Sequence, residues 1–184
     1  MCKMSTVILM NKRRIILGID PGSRITGFGI IAVENSKNYY ITSGCIRLPS
    51  DDVAAKCRTL YDALQQLIIT HQPTEAAVEQ VFMHLNAGGA IKLGQARGAA
   101  ITAIATHHLS LAEYTARQVK KAVVGFGAAE KHQVQAMVQL LLQLSAKPQE
   151  DAADALAIAL CHGHFKQALA TRQRNGRLLT QGAL

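Results

Sequence analysis

Tryptophan is absent, and four tyrosines and four phenylalanines are scattered over 184 residues. With a hydrophobic fraction of 49%, the interior must therefore be aliphatic, and a chain of this length can bury one substantial core. No window approaches the ~18 apolar residues of a membrane span. Cys2, Cys45, Cys57 and Cys161 form no C-x-x-C pair, which argues against a zinc knuckle or a disulfide framework and leaves reduced, structural thiols. Gly18, Gly22, Gly27 and Gly29 fit neither G-x-G-x-x-G nor a P-loop, so neither phosphate cradle is expected. The seven histidines, among them His107-His108 and His162 with His164, lack the carboxylate or cysteine spacing of a zinc site and read as surface or helix-end residues. Acids are also few: 12 against 20 lysines and arginines, a net charge of +8 and a pI of about 9.6. That balance favours a polyanionic partner, because each phosphate contact releases condensed counterions.

Residues 1–14, MCKMSTVILMNKRR, set basic residues around an apolar run too short for a signal-peptide core, with no small-residue cleavage site. A flexible leader and a cytoplasmic location are expected. The domain should occupy residues 15–170, and residues 171–184, with Arg172, Arg174 and Arg177, read as a basic, disordered tail.

Strand-like runs cover Ile15–Asp20, Gly27–Val33 and Tyr39–Leu48, the last two separated by the turn-forming residues 34–38. Ser50-Asp51-Asp52 offers N-cap chemistry before Val53, Leu60, Leu64, Leu67 and Ile68, whose spacing marks an amphipathic helix ending near Pro73. A short strand at Ala76–Val78 leads to Glu79, and a long helix of small residues follows from about Asn86 to His107. Another strand runs from about Leu109 to Tyr114. Further helices are expected near Ala116–Val123, Ala128–Leu144 and Glu150–Ala168. Three antiparallel strands followed by strands alternating with helices describe an α/β fold, a mixed five-stranded sheet with helices on both faces.

Asp20 and Glu79 end predicted strands, and Asp151 and Asp154 occupy the first turns of the last helix. Three residues apart, the latter two return to one helix face and can point at one site. Any one acid could serve as a cap or turn residue. All four stand in strongly apolar surroundings, however, and an unpaired buried carboxylate is expensive. No lysine or arginine lies within three residues of Glu79, Asp151 or Asp154, so a divalent cation is the better countercharge. Hard oxygen ligands suit Mg²⁺, with Mn²⁺ as a substitute. Two such ions can activate water and stabilise the leaving oxygen in phosphodiester hydrolysis.

The stretches ILGIDPGSRITGFGII, SGCIRL, VEQVFMHLNA, IKLGQARGAA, EYTARQVKKAVVGFGAAEKHQV and DAADALAIALCH, spread in order from Ile15 to about His164, resemble the RuvC Holliday junction resolvases of bacteria, members of the RNase H-like superfamily. The resemblance implies an RNase H-like three-layer fold and a homodimer making paired, symmetric, Mg²⁺-dependent cuts across a four-way DNA junction in recombination and repair. It also implies work with the branch-migration proteins RuvA and RuvB. It assigns the catalytic, metal-binding tetrad to Asp20 in GIDPG, Glu79 in VEQVF, and Asp151 and Asp154 in DAADA. DNA contacts carry over to Phe82, Lys120 and Lys131, while Arg97 and Arg117 are phosphate contacts on charge alone. Gly88-Gly89 departs from the pattern, each glycine costing the long helix roughly 1 kcal/mol relative to alanine.

Three rivals share parts of this pattern. Actin-like ATPases and sugar kinases also open on a strand, an aspartate and a glycine, but they duplicate the fold and this chain shows no second copy. A catalytically silent junction-binding module would not need the full tetrad. An RNase H-like nuclease acting on RNA ends would lack the motifs around Phe82 and Arg97.

Overall fold

A computed structural model describes residues 13–48, 52–80 and 87–181. The five expected strands join one sheet of order β3-β2-β1-β4-β5. β1 (Arg14–Asp20), β2 (Ile25–Glu34) and β3 (Lys37–Arg47) form an antiparallel meander, and β4 (Glu75–Glu79) and β5 (Ser110–Tyr114) continue it in parallel with β1. The turn expected over 34–38 shrinks to Asn35 and Ser36, both left-handed (φ 50° and 64°), because pairing persists to Glu34 opposite Lys37. Two-residue hairpins need positive φ, and asparagine tolerates it best after glycine.

Helix α1 (Val53–His71) starts where the Asp52 carboxylate accepts the amides of Ala54 and Ala55, at 3.1 and 3.3 Å. α2 (Ala87–Thr106) carries both Gly88 and Gly89 in its first turn. α3 (Ala116–Val124) is held by a capping box between Thr115 and Gln118. α4 (Lys131–Leu141) is shorter than the 128–144 expected, since the Gln133 side chain caps the Glu130 amide and Gln143 turns left-handed beyond its end. α5 (Glu150–Gln181) passes the end expected near Ala168, so residues 171–181, expected to be disordered, are helical. Their reading as a tail rested on polarity, whereas arginine, leucine and glutamine are good helix formers and proline is absent there. Among the described residues no helix is long and apolar enough to cross a membrane.

Strand periodicity sorts the core into two layers. Leu17, Ile19, Ile30, Ala76 and Val78 face α1 and α2, while Ile16, Ile31, Val33 and Ala77 face α3, α4 and α5. α5 lies between the sheet and the α3–α4 pair, so every residue from Ala152 to Gly163 except Asp154 is buried. A helix enclosed on all sides has no polar face, which explains the unbroken apolar run ALAIALC.

The helix comes close because the sheet beneath it has no side chains. Gly18 and Gly29 are cross-strand partners on β1 and β2, and Gly27 sits opposite Asp20. A Cβ on Gly18 would collide with the backbone carbonyl of Ala155, and one on Gly27 with that of Asp151.

A buried polar chain fixes α5 along its axis. His162, expected to be a surface or helix-end residue, is 3% exposed within α5; its Nε2 lies 2.6 Å from Glu75 Oε2 and its Nδ1 2.8 Å from the Tyr114 hydroxyl. In the neutral ring, Nε2–H donates to the carboxylate and Nδ1 accepts from the tyrosine. Arg14 Nε donates to Glu75 Oε1 at 2.7 Å, and Lys166 Nζ approaches to 3.6 Å. Glu75 and Glu79 are four residues apart on one strand face, about 13 Å. Asp154 and His162 are eight apart on α5, about 12 Å. Pairing His162 with Glu75 therefore sets Asp154 level with Glu79.

The His162 hydrogen bond and the Arg14 guanidinium, outweighing burial, hold the Glu75 carboxyl down at about 2. A carboxylate whose folded pKa is depressed stabilises the fold above its unfolded pKa, and that stability fades as pH falls through about 4.5 towards about 2. Glu75→Gln should cost about 2–3 kcal/mol in urea unfolding at pH 7. The difference from the parent should shrink steadily as the same measurement is repeated towards pH 3, and a constant difference would contradict the assignment.

Candidate active site

Asp20 shares its strand parity with Ile16 and Gly18, so its carboxylate points to the α5 side at the sheet end where β1 stops. The turn that stops it is pinned by the buried Thr26, whose hydroxyl accepts the Gly22 amide at 3.3 Å and donates to the Gly22 carbonyl at 3.4 Å. On the neighbouring strand, Glu79 follows Ala77 on the same face. α5 begins immediately above, with its first turns resting on Gly27.

Asp20, Glu79 and Asp154 line one cavity of about 230 Å³, together with Ala116, Val119, Lys120, Lys131, Val134 and Ile158. Burial pushes the Asp20 carboxyl up to about 8, helped by the charge of Glu79, a hydrogen bond with the Glu79 carboxyl, and the charges of Asp154 and Asp151. A carboxyl buried beside other carboxylates keeps its proton unless a cation stands between them. Burial also raises Asp154, and Glu79, Glu150 and Asp151 add to this, while Lys131 pulls it down. Asp151 does not line that cavity. It sits one helical turn away, with its backbone over Gly27, and acts on the group through its charge.

Cys45, expected to be a reduced, structural thiol, lies opposite Gly27 on β3. Its thiol borders the start of α5 and is held protonated by burial and by the charge of Asp151. Nothing local to SGCIRL announces that proximity, which arises from strand pairing.

Cations arrive through space. Lys131, first residue of α4, places Nζ 2.6 Å from Glu150 Oε1 and 3.7 Å from Asp154 Oδ2, and Lys120 of α3 lines the same cavity. Both therefore lie on the acid site. Arg117 is exposed on the first turn of α3, its side chain packed under Gly127. Arg97 is turned inward: its Nη2 lies 2.6 Å from Glu113 Oε1, and its Nε is buried without a partner. Its charge is thus engaged within the fold. Phe82 lies outside the described residues.

Carboxylate oxygens are the hard donors that Mg²⁺ or Mn²⁺ prefers, and the crowding of Asp20, Glu79 and Asp154 on one cavity leaves negative charge that a cation would compensate. The donor set thus fits such an ion, although among the described residues no three acid, histidine or cysteine side chains are already drawn into a ligand cage.

The chain is 55% identical over 156 residues to the crossover junction endodeoxyribonuclease RuvC of Francisella philomiragia, covering 85% of this chain and 91% of that protein. To its counterpart in Francisella tularensis subsp. novicida it is 57% identical over the same coverage. Among solved structures, Thermus thermophilus RuvC in complex with a Holliday junction substrate superposes with a TM-score of 0.80 at 30% identity, covering 84% of this chain and 96% of that one. The yeast mitochondrial Holliday junction resolvase, at 10% identity and a TM-score of 0.67, covers 94% of this chain and 89% of its own and shares the fold alone. Matched over residues 16–162 by the family model for crossover junction endodeoxyribonuclease RuvC, the chain belongs to the RuvC family and has its RNase H-like fold.

Proposed function

We propose that this protein is a structure-selective endonuclease that resolves Holliday junctions by paired, symmetric phosphodiester hydrolysis. The observation that carries the reading is the convergence of Asp20, Glu79 and Asp154 on one cavity, with Lys120 and Lys131 in its wall, in a chain of this family.

Asp20, Glu79, Asp154 and Asp151 would hold two Mg²⁺ ions, with Mn²⁺ as a substitute. When bound, these ions supply activation of the attacking water and neutralise charge on the leaving oxygen. The chain's own groups do the rest. Lys120 and Lys131 draw the scissile phosphate towards the acids and offset the repulsion between polyanion and carboxylates. The apolar wall of Val119, Val134 and Ile158 restricts water around the acids, which strengthens each charge interaction there. Hydrolysis forms one bond from water oxygen to phosphorus, breaks the bond to the leaving sugar oxygen, and transfers a proton to that oxygen.

A homodimer suits the task, because an isologous pair presents two identical sites to symmetry-related strands. Cytoplasmic action beside RuvA and RuvB, with Phe82 and Arg117 contacting the junction, completes the proposal.

On a synthetic four-way junction with Mg²⁺, the protein should introduce paired symmetric nicks and leave linear duplex intact. Asp20→Asn should cleave at least ~10²-fold more slowly yet still bind the junction, since the substitution keeps the side chain's size and removes no cation. Undiminished cleavage by that variant would sink the assignment.

Lys131→Met should lower the saturating cleavage rate by ~10- to ~100-fold, the usual effect of losing a group that orients a ligand. Its melting temperature should barely move, because the side chain is largely exposed. A wild-type rate would exclude Lys131 from the site.

A further inference from the structure

We propose that a second cavity, on the opposite side of the Asp20 turn from the acids, holds backbone phosphates of the bound DNA strand. It has a volume of about 320 Å³, and its polar lining consists of Ser23, Arg24, Lys56, Lys92 and Gln95. The inference rests on reading the chain as a junction nuclease and extends its DNA path beyond the cutting site.

The three cations come from three different elements. Arg24 belongs to the β1–β2 turn, Lys56 to the first turns of α1, and Lys92 to α2. No acid occurs among the lining residues. Lys92, Gln95 and Ala96 share one face of α2, and Val53, Lys56 and Cys57 share one face of α1, by their spacing of three and four. The groove between two packed helices thus has Lys92 on its α2 wall and is closed by Arg24 of the turn, with Lys56 on the facing helix. Leu48 and Ala96, both buried, give it an apolar floor, suited to the sugar that accompanies each phosphate.

Arg24 and Lys92 are exposed and form no ion pair among the described residues. The contrast with Arg97, five residues further along α2, is direct: that guanidinium is neutralised by Glu113, and Lys92 offers the charge that Arg97 does not. The turn itself is rigid, since the Leu48 amide donates to the Arg24 carbonyl at 2.9 Å and Thr26 pins Gly22.

Position relative to the acids selects the occupant. Arg24 lies four positions after Asp20, a span of at most ~14 Å. One strand of duplex carries a charge every ~3.4 Å of axis, so a strand leaving the cutting site meets Arg24 within about four phosphates. Cations spaced over two helices and a turn match the successive phosphates of a continuous polyanion better than a single small anion.

The test uses the full-length chain, without divalent cation so that binding is read without cleavage. Fluorescence anisotropy follows a labelled four-way junction, with linear duplex alongside, across a series of salt concentrations. Arg24→Ala and Lys92→Ala should each weaken binding and flatten the plot of log affinity against log salt by ~0.7 to ~0.9. Lys37→Ala, an exposed cation on the β2–β3 hairpin at the far end of the sheet, should change neither. Uncharged methylphosphonate linkages placed within about four nucleotides of the cut should weaken wild-type binding and have no further effect on the Arg24→Ala, Lys92→Ala double variant.

A double variant with wild-type affinity and slope would overturn the proposal. Should Arg24→Ala fail to fold, Lys92→Gln on the exposed helix face decides it by the same slope. A wild-type protein that binds duplex as tightly as junction would defeat the resolvase reading instead. In that case the slopes measured on duplex still decide whether the groove holds phosphate.

Discussion

Everything at the acid site depends on how closely α5 lies against β1 and β2. Ordinary side chains at positions 18, 27 and 29 would lift the helix, and its first turns carry Asp151 and Asp154. The absent side chains set the height of the helix above the sheet. The Glu75–His162 hydrogen bond sets its position along the axis, and the Tyr114 hydroxyl completes the polar chain. Two acids on one strand face, Glu75 and Glu79, thus meet opposite chemistry on α5: a histidine at one end and a carboxylate at the other. One end is satisfied and rigid, while the other is left repulsive.

That repulsion makes sense in a basic protein. A net charge of +8 draws a polyanion to the surface generally, but a phosphodiester must then approach a knot of carboxylates. Lys131 and Lys120 stand where attraction passes into the site, and the pairing of Lys131 with Glu150 and Asp154 keeps the ammonium at that threshold. Burial first, and the neighbouring carboxylates after it, push the Asp20 carboxyl upward, the conflict that arises where acids crowd a small, poorly solvated space. Natural proteins tolerate such local conflict where chemistry is done.

The five strands, the helices and the ends that bear the four acids were legible because each rests on a local signal: period-two alternation, an N-cap at Asp52, a carboxylate at a strand end, a spacing of three on one helix. Relations between distant residues were not. His162 read as a surface residue because its partner Glu75 lies 87 positions away, and nothing in HGH indicates burial. Lys131 is 23 positions from Asp154 in the chain and reaches it from another helix, a countercharge that no local spacing indicates. Arg97 looked available on charge alone, yet its pairing with Glu113 depends on α2 lying against β5. Residues 171–181 are polar enough for a tail, yet their helix propensity carries α5 on to Gln181. The departure at Gly88-Gly89 leaves α2 continuous from Ala87, consistent with a penalty that a twenty-residue helix absorbs.

Gly27→Ala tests the central claim most directly. Its added methyl would meet the Asp151 carbonyl and must shift the start of α5 while leaving every acid, lysine and the far-end Glu75–His162 pair chemically intact. With junction cleavage measured beside junction binding, and Gly98→Ala on an open face of α2 as control, the expected result is a loss of ~10²-fold or more in cleavage, the scale of a displacement near 1 Å. Binding should be kept. A folded Gly27→Ala protein that cleaves at the wild-type rate would show that the seating of α5 on the glycines does not set the geometry of the acids.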